Sequence, residues 1–200
     1  MKFSKLLLGV VGAAVLMAAL VSTASARSFE TSSQTLRATF REVRFRGVFG
    51  TTNCVVTLEG SLHTRTIAKT VGALVGFITR ATLGACSQGT ATILTATLPW
   101  HVRYAGFEGA LPNITKLRTD VVGASFAVRE TGGITCLTRS TAAEPARGEY
   151  EVSGGTVTGV VITGSIRTGA ECFGAAGTFT SDAGAVTVLN STTRVTVRLI

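Results

Sequence analysis

Any reaction run by this chain would have to come from four cysteines, two histidines and eleven acids, set among nineteen basic residues. Cys54, Cys86, Cys136 and Cys172 include no Cys-x-x-Cys pair and have no neighbouring pair of histidines, so they read as disulfides rather than a zinc site. Four cysteines allow three connectivities. A weak internal echo separates them: a Cys in a strand pattern, an apolar segment, then a second Cys before Thr- and Gly-rich sequence. The echo favours Cys54–Cys86 and Cys136–Cys172.

His63 or His101 could join Asp120 or Asp182 and a serine in a nucleophilic relay, but no Gly-x-Ser-x-Gly turn accompanies them. Glu149 and Glu151 lie two apart on one strand face, too close in sequence to flank a sugar as a glycosidase pair does. Asp182-Ala183-Gly184 lacks the run of oxygen ligands that a calcium loop requires. The expectation is no catalytic residue, no metal and no cofactor.

Binding is the other use of such side chains, and two stretches suit it. Arg37, Arg41, Arg44 and Arg46 crowd one segment, and Arg44 and Arg46 alternate with Val43 and Phe45, so both guanidinium groups project from one strand face. Arginine forks grip phosphate or carboxylate in pairs of hydrogen bonds, which suits an anionic polymer of a cell envelope. The same charges would also guard an edge strand against pairing with other chains. The second stretch, Leu98 to Phe107, holds Trp100, His101 and Tyr104, including the only Trp and one of the two Tyr. Exposed, these rings stack on sugars; buried, they anchor a core. Asn113-Ile114-Thr115 and Asn190-Ser191-Thr192 match the glycosylation triplet, which matters only in a host that uses it.

The elements that must position these residues are strands. Leu36, Ala38 and Phe40 share a face, and then Val43 and Phe45 take the opposite parity, which predicts a bulge near Arg41-Glu42. Similar alternation runs through Cys54 to Glu59, Thr90 to Leu98, Trp100 to Tyr104, Val122 to Val128, Ile134 to Thr138, Thr156 to Ile166, Phe173 to Thr180, Val186 to Leu189 and Arg194 to Leu199. One segment departs from it. Ile67, Val71, Leu74, Val75 and Ile78 sit at helical spacing, which predicts one short helix near residues 64–80. Two short strands with a turn at Gly72 would satisfy the same residues.

The first 26 residues address the rest. Lys2 and Lys5 precede an apolar run from Leu6 to Val21, and Ala24-Ser25-Ala26 offers the small residues a signal peptidase reads. Cleavage after Ala26 leaves residues 27–200 as a single exported domain, with the charge falling from +8 to about +6. No later run is long enough to span a membrane as a helix. Export disfavours nucleic acid as a partner and permits disulfides.

The sequence therefore predicts an all-β antiparallel sandwich, or barrel-like sandwich, of roughly nine to ten strands with one helix. Its expected role is a secreted or periplasmic, non-catalytic protein of the cell envelope, binding an anionic or carbohydrate ligand or serving a structural purpose. A small outer-membrane β-barrel and a secreted hydrolase are the alternatives.

Overall fold

The structure is a computed structural model that describes residues 28–47, 50–130, 133–168, 172 and 176–200. The leader expected at 1–26 and the start of the strand expected from Phe173 lie outside them. The described residues fold as antiparallel β-structure with one 3-10 turn at Thr95–Thr97.

Eight positions form a closed ring. β2 (Thr35–Arg46), β3 (Thr51–Leu62), β5 (Leu74–Ser87), β7 (Trp100–Ala110), β8 (Asn113–Val122), β11 (Ala146–Ser153) and β12 (Thr156–Thr168) pair in that order. The eighth position is shared by β13 (Ala176–Ser181) and β14 (Ala185–Val188), and both return to β2. Neighbours in the ring follow one another along the chain, so each new strand docks on the one just made. This is the barrel-like form of the expected fold. A closed sheet leaves no long edge exposed, so edge protection by arginine is not needed on β2.

The bulge predicted at Arg41-Glu42 is present: the register of β2 against β3 shifts between Phe40 and Val43. It keeps Phe40, Val43 and Phe45 all inside, each with at most 2% exposure. Opposite the bulge the chain crosses from β13 to β14, where the Glu42 amide donates to the Asp182 carboxylate and the Asp182 amide donates to the Glu42 carbonyl. Gly184 follows two residues later. A Cβ there would sit 2.5 Å from the Phe40 ring and 2.8 Å from the Thr39 carbonyl oxygen. Only glycine lets the last strand come this close to the first.

Two small leaves cover the ends. β1 (Ser28–Thr31), β4 (Thr66–Ala68) and β15 (Val197–Leu199) make a three-stranded sheet that buries Phe29, Ile67 and Val197 against one end. β6 (Gly89–Ile93), β9 (Ser125–Glu130) and β10 (Thr135–Arg139) extend from β12 at the other. There Phe126 packs against Phe45 and Trp100, with ring centroids 5.2 and 5.5 Å apart. The disulfides are Cys54–Cys86, joining facing residues of β3 and β5, and Cys136–Cys172, tying β10 to the segment after β12. Each closes a loop of about 32 to 36 residues, worth roughly 3–4 kcal/mol in lost chain entropy of the unfolded state.

Two expectations need correction. The helix near 64–80 is absent: the segment is β4, a turn, and the start of β5. Gly72 adopts φ +82°, Val71 is 72% exposed and Leu74 is 42% exposed, so two of the five apolar residues face outward. Four of those five are β-branched, and each glycine would cost a helix roughly 1 kcal/mol, so strand and turn win. The ring itself takes nine strands, as expected, and the two leaves of short pieces bring the described residues to fifteen. Finally, Val122 to Val128 is not one strand: Gly123, at φ +95°, ends β8 and turns the chain into β9.

Gly184→Ala is expected to lower stability by about 1–3 kcal/mol through forced movement of Phe40. A chemical-denaturation midpoint equal to that of the parent protein would contradict this packing at the seam.

Candidate functional site

Alternation in a closed sheet sends one residue in two to the interior, and here the interior has two unlike halves. At the β9 end, Phe45, Trp100, Phe126 and Phe179 fill the space; Trp100 is 1% exposed and its indole N–H donates to Thr97 Oγ1 at 2.9 Å. Toward the β1 leaf most inward side chains are aliphatic, among them Leu36, Leu58, Ile78, Ile162 and Val186, with Phe40, Tyr104 and Tyr150 beside them. They surround a cavity of about 120 Å³, against the roughly 10–15 Å³ that one water needs.

One row of this wall is polar. Tyr104 on β7 stands opposite Thr119 on β8, and Thr119 stands opposite Gly148 on β11. Tyr150, two residues along β11, brings a second phenol to the same place. Thr119 is 6% exposed, yet its Oγ1 has no hydrogen-bond partner. The Tyr150 hydroxyl lies near enough to interact electrostatically, but the two do not meet in hydrogen-bonding geometry. Gly148 supplies the space: a Cβ there would lie 2.9 Å from Thr119 Oγ1 and 3.5 Å from the Tyr150 hydroxyl. Burial raises both phenols above the ordinary value of 10.0, with the Thr119 hydroxyl offsetting part of the rise at Tyr150. Both therefore stay neutral and keep their protons at physiological pH.

The outer face is charged. Glu59 on β3 is held by Arg37 of β2 at 2.8 Å and by Arg80 of β5 at 3.6 Å. Farther round, Glu149 receives Lys116 at 3.2 Å and Arg118 at 3.0 Å, while Arg147 meets Asp120 at 2.8 Å. Burial alone would raise the Glu149 carboxyl, but Lys116 and Arg118 overcome that and hold it below its usual range. Such exposed pairs contribute at most about 1 kcal/mol each. They mark which side faces water.

The residues singled out in the sequence do not converge. Arg37 is bound to Glu59 and Arg44 to Glu42 at 2.5 Å, whereas Arg41 and Arg46 are exposed on β2. Trp100 belongs to the packed half. His101 points outward, with its ring 5.3 Å from Phe77, and His63 lies 4.9 Å from the other side of that phenylalanine. Tyr104 alone reaches the cavity. Sequence reasoning missed Thr119, Gly148 and Tyr150, although a signal was available: a hydroxyl in the apolar column Leu117, Thr119, Val121, and a glycine in the column Ala146, Gly148, Tyr150, Val152.

Among the described residues there is no group of three His, Cys, Asp or Glu placed to hold a metal ion, and no helix long and apolar enough to cross a membrane. Scans against protein-family models, curated proteins and solved structures find no match.

The chain has two tyrosines, both on this wall, so their titration reports on it directly. Because the folded state keeps its phenolic protons after the unfolded chain has begun to lose them, stability should fall as pH rises beyond 10. The 295 nm absorbance of native protein is expected to rise only above pH 10, later than that of denatured protein; coincident curves would contradict a buried wall.

Proposed function

We propose that the protein is an exported, non-catalytic binding protein whose ligand occupies the interior of the barrel. The observation that carries this reading is the unlike pair of halves: one end of the interior is packed with aromatic rings, while the other keeps a cavity of about 120 Å³ with apolar walls. Folding by itself favours filling such a space, since a cavity sacrifices dispersion contacts and costs stability in proportion to its volume. An apolar ligand restores those contacts.

The two disulfides favour an oxidising compartment, which agrees with the leader-like first 26 residues. The charged exterior supports a water-facing barrel, because a lipid-facing one turns its apolar residues outward and its polar residues inward. An external polyanion, the ligand suggested by the arginines, gains less support: Arg37 and Arg44 already have acidic partners. Both histidines pack on Phe77, an arrangement suited to surface packing rather than to proton transfer.

Two measurements on protein taken from its natural source test this. Its N-terminal residue is expected to be Arg27, with the protein recovered outside the cytoplasm; a mature chain retaining Met1 in the cytosol would contradict export. Native mass spectrometry is expected to show a small noncovalent adduct that disappears on unfolding. A bare mass in every preparation, with no uptake of added aromatic hydrocarbon, would contradict binding.

A further inference from the structure

The chemistry of the wall says more than that an apolar molecule fits. Thr119 Oγ1 is under-satisfied: a hydroxyl buried to more than nine-tenths, lining the cavity beside the Tyr150 hydroxyl, without a well-formed hydrogen bond. Leaving such a group unsatisfied costs about 1–3 kcal/mol. Valine would fill the same position without that loss. The space beside the hydroxyl is kept open by Gly148, which stands directly across the ladder from it. Tyr104 flanks Thr119 on the opposite strand, so one side of the cavity presents a row of hydroxyls while most of the remainder, Thr31, Glu59 and Ser61 apart, is hydrocarbon.

The wall also lacks a countercharge. Glu59 is the one acidic residue bordering the cavity among the described residues, and its carboxylate turns to the outer face, where Arg37 and Arg80 engage it. The border includes neither Lys nor Arg. A carboxylate or phosphate brought inside would be stripped of water beside neutral phenols with no countercharge, at a loss of several kcal/mol. A neutral oxygen carries no such loss.

Resting on the reading of the cavity as the binding site, we infer that its ligand is an uncharged amphiphile: a small hydrocarbon body bearing one neutral hydroxyl or carbonyl, with that oxygen seated against Thr119, Tyr104 and Tyr150 and the body lying among Leu36, Leu58 and Ile162. A volume near 120 Å³ suits one aromatic ring or a short chain, since a cavity of roughly 150 Å³ accepts benzene.

Three probes of one shape separate the terms: benzyl alcohol, ethylbenzene and benzoate, titrated into the oxidised protein and followed by backbone amide NMR. Wild-type protein should bind the first two and bind benzoate at least a hundredfold more weakly than the alcohol. Thr119→Val removes the hydroxyl at nearly constant shape. It should shift the affinity ratio of benzyl alcohol to ethylbenzene by roughly three- to tenfold against the alcohol, the equivalent of one hydrogen bond. Gly148→Ala, which fills the space beside residue 119, should weaken both neutral probes and serves as the second variant. An unchanged ratio in Thr119→Val, or benzoate binding as tightly as the alcohol, would overturn the hydroxyl-row assignment and leave the cavity as a binding site. Failure of every probe to bind wild-type protein would overturn the cavity reading itself.

Discussion

The last strand pair must come back and hydrogen-bond to β2, and everything inside the barrel depends on that return. β13 pairs Thr178 through Ser181 with Arg46 through Val43, and β14 pairs Ala185 through Val188 with Thr39 through Leu36. One strand thus meets two, and the bulge at Arg41-Glu42 absorbs the mismatch. The break between β13 and β14 lies against that bulge, with Gly184 pressed on the Phe40 ring. Without this seam Leu36, Phe40 and Val186 would have no opposite wall, and no cavity would exist. Long-range closure of this kind supplies little until it is complete, because its loop entropy must be met before any contact is gained.

On the proposed reading, stability and binding fall to different halves of one interior. Phe45, Trp100, Phe126 and Phe179 crowd the half that also contains Cys54–Cys86, and Gly164 lets the Phe179 ring pack so closely that a Cβ there would lie 2.5 Å from it. That half can hold the fold together. The other half is then free to be underfilled, and to keep a buried hydroxyl that a core selected for stability alone would replace. On the outside, alternating charges such as Arg37–Glu59–Arg80 add little energy but keep the sheet's outer face wet.

Much of the fold was legible because strand patterning is local. The parity change at Arg41-Glu42 announced the bulge, and the echo around the cysteines announced both disulfides. Helical spacing misled at Ile67 to Ile78 because β-branched residues around a glycine turn can mimic a helix face over so short a run. Closure of the ring was not legible, since pairing between β2 and β14 joins residues with no shared local signal. For the same reason Tyr104, Thr119 and Gly148 could not be assembled beforehand: their adjacency follows from the registers of β7, β8 and β11. What the sequence did carry was a pair of anomalies, a threonine and a glycine in otherwise apolar columns. Trp100 and the arginines are more conspicuous by type, but they do not line the cavity.

A barrel that keeps a cavity of about 120 Å³ in one part of its interior, with hydroxyls on one wall, suits the small neutral ligand proposed for it. The most direct measurement is a crystal of the oxidised protein pressurised with xenon, a gas that enters apolar cavities and ignores surfaces and charges. Strong xenon density is expected among Leu58, Tyr104 and Ile162, with the aromatic half empty of it. An interior closed over by side chains, with no xenon between β3 and β12, would contradict the binding cavity at its foundation.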